Sequence, residues 1–160
     1  LLVGPIDEEY KNQLAQQCDP THSNRVHFLG ITPNDKMPGF FSAADVGAWP
    51  GDPAVSILEA MACSLPLILS ASDTTRHLIT GDNGIPFSRR NSSELASALS
   101  LVLSDVDRRN SMSENSRLLA ENVFDWKVVA KRTNQVYEEI LQGTDEHIQP
   151  IWDSRFSSVA

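Results

Sequence analysis

"GDPAVSILEAMACSLPLILS" (residues 51–70) decides the fold. Its last five residues, Pro66-Leu-Ile-Leu-Ser70, are a short apolar run with the composition of a strand buried on both faces. The residues before it, 53–63, carry apolar side chains at helical spacing. Asp52-Pro53 reads as the start of that helix, with Asp at the cap and Pro at the first helical position. Ser56-x-x-Glu59 also has the form of a capping box, but such a box needs a helix that begins at Ser56. A helix followed directly by a buried strand is half of a βαβ unit, and the rest of the chain follows the same grammar.

Upstream, "LLV" (1–3) is a strand end and "DEEYKNQLAQQ" (7–17) an exposed helix with an acidic first turn. "RVHFL" (25–29) is a strand, "NDKMPGFFSAA" (34–44) a short helix interrupted near Pro38-Gly39, and "DVGAW" (45–49) a strand. Downstream, "TTRHLIT" (74–80) is a helical turn closed by Gly81, and "GIPF" (84–87) is a fifth strand. Three helices finish the pattern: 91–104, opened by the capping box "NSSE", a polar helix over 106–122, and 125–142 with Val129, Val136 and Ile140 on one face. From Gly143 onward no period is visible, and 143–160 reads as a tail whose hydrophobes are Ile151, Trp152 and Phe156.

Strands alternating with helices predict an α/β fold, a Rossmann-like open parallel sheet with flanking helices, in a domain spanning 1–142. In such sheets ligands bind at the carboxyl ends of strands, beside helix N-termini. The candidate loops are therefore Gly4–Asp7, Gly30–Asn34, Pro50–Ser56 and Ser70–Thr75.

Bulk properties narrow the function. The chain has 160 residues, 41% hydrophobic and 21% charged, enough for a proper core. A net charge of -8 argues against general nucleic-acid binding and against adhesion to anionic lipid. The arginine pairs 89–90 and 108–109 read as solvated surface. Cys18 and Cys63 give neither a metal spacing nor a disulfide framework, which favours a reducing compartment. No run of about 18 apolar residues exists to span a membrane. Histidines 22, 27, 77 and 147 show no metal spacing. The chain begins with Leu1 inside an apolar run and is read as a piece of a longer protein.

Two features of the opening stretch point to a ligand. The free N–H groups at Ala54, Val55 and Ser56, with small residues Gly51, Ala54 and Ser56 around them, have the physics of a phosphate seat, though a plain helix cap has the same look. Glu59 is an acid in apolar surroundings, and a partly buried carboxylate must be paired or hydrogen-bonded. It either makes an internal pair, with Arg76 or a backbone N–H, or accepts from the two adjacent hydroxyls of a ribose.

The order "LLVGP … RVHFLG … SAADVGAWPGDPAVSILEAMACSLPLILS … GDNGIPF … NSSELASAL … FDWKVVAKRTNQVYEEIL" resembles the C-terminal, donor-binding domain of GT-B glycosyltransferases, of the retaining family 4, or group 1. The resemblance covers roughly 1–141. It implies transfer of a sugar from a nucleotide-diphosphate donor to a glycan or lipid-linked acceptor, in glycan biosynthesis, with no metal or other cofactor. It implies that Glu59 holds the ribose hydroxyls, that Gly30 and Ile31 lie against the nucleobase, and that Ala54, Val55 and Ser56 meet the diphosphate.

The acceptor domain and the family's basic residues would precede Leu1, so the fragment alone is expected to be inactive. A cytoplasmic protein, peripheral to the membrane in its full length, fits the same picture. The pattern also departs from the family. The first acid of its glutamate–seven residues–glutamate motif falls at Gly51. Asp52 is either a stand-in for that catalytic-site acid or the helix cap. "VGxGP" has become "VGP", the glycine of "ACG" is Ser64, and Arg76 stands where many members carry a glutamate. These changes fit an altered sugar subsite, or a degenerate module that serves as a binding partner.

Overall fold

Leu67–Ser70 is the middle strand of three, and every one of its residues is buried. The computed structural model describes residues 1–19 and 21–143, which divide into two compact units, Leu1–Phe40 and the chain from Phe41 onward. The 143–160 tail therefore lies outside the described residues, apart from Gly143.

In the first unit, strands β1 (Leu2–Val3) and β2 (Phe28–Gly30) pair in parallel. Between them runs helix α1 (Glu8–Gln17), capped by the Asp7 carboxylate, which accepts from Tyr10 N at 2.7 Å. β2 starts later than the apolar run 25–29 suggests. Ser23–Arg25 forms a tight 3₁₀ turn, with Arg25 N donating to His22 O at 2.9 Å, so those residues cannot join the ladder.

Helix α2 (Met37–Ala43) joins the two units in sequence. The expected break at Pro38-Gly39 is absent: a 3₁₀ turn over Asn34–Lys36 leads into the helix, which runs through both residues. Pro38 sits in the first α-turn, where a missing N–H removes no helical bond that matters.

In the second unit, β3 (Gly47–Trp49), β4 (Leu67–Ser70) and β5 (Gly84–Phe87) form a parallel sheet in the order β3-β4-β5. Between β3 and β4 lies α3 (Val55–Ala62), shorter at both ends than the predicted 53–63. Helices α4 (Ser92–Ser104) and α5 (Val106–Leu119) follow, then a π-turn over Ala120–Phe124 and α6 (Trp126–Leu141). The polar helix expected over 106–122 thus ends as an α-helix at Leu119.

Ile68 and Phe87 of the sheet pack with Ala98, Val102 and Met112 of α4 and α5 into one core cluster. Val102 of α4 and Met112 of α5 are wholly buried. α6 is different: Val129 and Val136 are only half-buried, and the helix has no buried residue.

The sequence "DNG" (82–84) has a clear physical role. Asn83 is fully buried; its side-chain amide donates to Leu78 O and its Oδ1 accepts from Thr80 N, both at 2.9 Å. Gly84 lets β5 approach β4, because a Cβ there would lie 2.7 Å from Leu67 O. These two residues lock the turn before β5 and set the spacing of the sheet.

Candidate functional site

The carboxyl ends of β3, β4 and β5 meet around the loop that leads into α3. Ser70 Oγ, at the end of β4, donates to Gly51 O at 2.7 Å. Thr75 Oγ1 donates to Ser70 O at 2.7 Å and accepts from Ser72 N at 3.0 Å, closing the turn after β4. Ser70 and Thr75 are both 3% exposed, so this anchor is built into the core. From the turn after β5, Arg89 reaches Asp52 with Nη1 to Oδ1 at 3.1 Å.

The start of α3 departs from expectation. Asp52-Pro53 do not cap it. The N-cap is Ala54, in extended conformation, and no side chain bonds the first-turn N–H groups. Asp52 is unavailable as a cap because its carboxylate is turned to Arg89, while Gly51 is drawn to Ser70. Ile57 N is satisfied at 3.0 Å by Ala54 O, which leaves the N–H groups of Val55 and Ser56 without a described acceptor. Ala54 and Val55 are exposed and Ser56 is half-buried. The indole Nε1 of Trp49 donates to Ser56 Oγ at 3.1 Å.

The other end of α3 is fully closed. Ser64 N donates to Met61 O and Leu65 N to Ala60 O, the pair of bonds of a Schellman turn. Ser64 adopts φ 61° there, the left-handed region that favours glycine. Arg117 of α5 adds a hydrogen bond to Ala62 O. Helix α3 is therefore saturated at its negative pole and open at its positive one.

Glu59 lies half-buried on this helix, and its carboxylate has no hydrogen-bond or ion-pair partner among the described residues. Arg76 pairs instead with Asp73, at 3.5 Å. The internal pair weighed from the sequence is thus not formed. The His77 ring lies tilted against Phe124 at a centroid distance of 6.2 Å, and its burial, with the Arg76 charge second, holds the imidazole below its usual range.

The structure brings Gly51, Asp52, Ala54, Val55, Ser56 and Glu59 together on one loop-helix element. A Cβ on Gly51 would meet nothing within 4 Å, so packing does not demand glycine there. Gly30 and Ile31 belong to the first unit, Gly30 with φ 66° and Ile31 82% exposed. Three contributors went unseen in the sequence: Trp49, Ser70 as an anchor, and Arg89. Each acts through a partner on the loop or on α3, and only the position of Ser70 in a candidate loop hinted at it. Among the described residues no group of three or more His, Cys, Asp or Glu side chains is placed to hold a metal ion. No helix among them is long and apolar enough to cross a membrane.

Comparison with known proteins gives this architecture a class. Sucrose-phosphate synthase from Thermosynechococcus elongatus superposes with a TM-score of 0.74 at 25% identity, over 89% of this chain and 38% of that one. Anabaena HepE in complex with UDP and glucose superposes at 0.69 with 27% identity, over 89% and 40%. The fold is that of a GT-B glycosyltransferase domain. Residues 1–105 match the family described as glycosyl transferases group 1, and the chain belongs to it. YtcC of Bacillus subtilis, a glycosyltransferase by name, is 28% identical over 152 residues, 90% of this chain but 37% of its own length. The chain thus spans less than half of the relatives it matches.

Proposed function

We propose that this chain is the part of a glycosyltransferase that binds a nucleotide-diphosphate sugar, for transfer of the glycosyl group to an acceptor held elsewhere in a longer protein. One observation carries the reading: a half-buried, unpaired Glu59 carboxylate on a helix whose N-terminal turn is uncapped. A half-buried carboxylate with no partner on the chain keeps its acceptor oxygens open, and a ligand with two adjacent hydroxyls can donate to both of them. The open N–H groups of Val55 and Ser56, at the positive end of the α3 dipole, suit a diphosphate. In this arrangement Glu59 takes the ribose, and Ala54, Val55 and Ser56 take the diphosphate. Charge on the leaving diphosphate is met by the dipole and by basic side chains, with no metal ion. HepE, solved with UDP and glucose, supports a donor of this class.

The test is a calorimetric titration of the full-length protein with UDP and GDP, repeated on Glu59→Ala. Loss of a bidentate charged contact costs about 2–3 kcal/mol, roughly a 30- to 150-fold weaker Kd. Equal affinity in both proteins overturns the ribose role.

Gly51 supports a second reading, a catalytically degenerate module that binds without transferring. Position 51 is where the family's sugar-contacting acid falls. Asp52, freed from any capping role, is the acid left to stand in for it, and it pairs with Arg89 at the surface. Release of UDP or GDP from a nucleotide sugar, dependent on added acceptor, separates the two readings. Transfer that disappears in Asp52→Ala assigns the stand-in; no release with any donor leaves the binding module.

A further inference from the structure

We propose that Trp49 is a positioning residue that turns Ser56 into a hydrogen-bond donor for the ligand's phosphate. The inference rests on the reading above, in which the first turn of α3 seats a diphosphate. A serine hydroxyl is ambivalent, since it donates one proton and accepts at two lone pairs. Left alone at a helix start, it tends to fold back on the helix's own backbone. Here the Trp49 indole N–H, which can only donate, occupies an acceptor site of Ser56 Oγ at 3.1 Å. The Ser56 proton is thereby left to point elsewhere, and no described residue accepts it. It stands beside the backbone N–H groups of Val55 and Ser56, which also lack acceptors. Three donors without a described acceptor thus lie on one helical turn, a set that an anion can use.

The indole is fixed for this task. Its six-membered ring lies over Gly47, where a Cβ would come within 2.4 Å of Cζ3. On another side it meets the buried Phe41 ring at a centroid distance of 6.5 Å. Any side chain at 47 would displace the ring. The glycine that opens β3 and the tryptophan that closes it therefore work as a pair, and a ring with little room to turn gives Ser56 one orientation rather than several.

The experiment is a double-mutant cycle on the full-length protein, with UDP and GDP as probes in calorimetry and thermal melting read alongside. Ser56→Ala is expected to weaken nucleotide binding about tenfold, as for a lost bond to a charged group. Trp49→Phe keeps an aromatic ring and removes the N–H; it is expected to weaken binding about three- to tenfold, as for a neutral hydrogen bond. In the Ser56→Ala background, Trp49→Phe should cost nothing more. Replacement of Trp49 by 3-benzothienylalanine, which exchanges only the N–H for sulfur, should repeat the Phe result with an unchanged melting temperature. A Trp49 effect equal in the presence and absence of the Ser56 hydroxyl, or absent with benzothienylalanine, overturns the inference while leaving the donor site standing. Wild-type protein that binds neither UDP nor GDP overturns both.

Discussion

Helices α3 and α4 begin in opposite ways, although both follow a strand of the same sheet. At α4, Asn91 Oδ1 accepts from Glu94 N at 3.1 Å, and Glu94 in return takes Ser88 N at 2.6 Å and the Asn91 side-chain amide at 2.7 Å. The helix answers its own need for acceptors. At α3 the equivalent position is Ala54, which offers nothing. The nearby carboxylate of Asp52 does not reach back to this turn and pairs with Arg89. The first turn of α4 is satisfied from within the chain, and the first turn of α3 is left open, as the proposed diphosphate seat requires.

Adding a cap to α3 should break this contrast most sharply. Ala54→Asp places an acceptor and a negative charge on the open turn, at an N-cap already in the extended backbone such caps use. Stability should rise by about 1 kcal/mol in denaturant titrations. UDP affinity of the full-length protein should fall more than tenfold, since the new carboxylate takes the diphosphate's place. If binding survives, the first turn is not the anion seat. Removing the cap of α4 should do the reverse: Asn91→Ala costs about 1 kcal/mol of stability and leaves UDP affinity unchanged.

A smaller effect belongs to the closed end of α3. Ser64→Gly relieves a left-handed residue that carries a side chain, and should stabilise by roughly 0.5–1 kcal/mol with binding untouched. The smallest concerns pH. The Ser88 backbone N–H, ahead of the other causes, holds the Glu94 carboxyl below its ordinary value of 4.5. Its contribution is therefore present above that value and is lost as pH falls through it toward the folded-state value. Thermal melts between pH 6 and pH 3 should show a shallower acid slope in Glu94→Gln than in the wild type.

How much of this was legible depended on distance along the chain. The α4 box could be read because both of its members lie within one turn. The half-buried place of Glu59 on its helix could be read because an acid among apolar residues is conspicuous in any window. The start of α3 could not: Asp52-Pro53 has every local mark of a cap, and the residue that claims Asp52 is Arg89, far along the chain on another loop. Arg89 itself looked like solvated surface for the same reason. Strand ends suffered likewise, as with 25–29, where a 3₁₀ turn took the first residue of an apolar run. The five strands and their parallel pairing followed from the alternation of short apolar runs with helical patterns, and the run most apolar, 66–70, is the strand that is buried throughout. The glycine at 84 fits the same rule from the other side: its necessity comes from a carbonyl on the neighbouring strand, which no window around it contains.

The contact between Trp49 and Ser56 also makes the site visible. Trp126, the other tryptophan among the described residues, is 84% exposed, whereas Trp49 is half-buried and hydrogen-bonded at the start of α3. In a protein carrying Trp152→Phe, iodide should quench the emission of Trp126 and spare that of Trp49. The remaining signal comes from an indole one bond away from the proposed phosphate seat. Occupancy of that seat can thus be followed as a change in intrinsic fluorescence, without a label and without turnover.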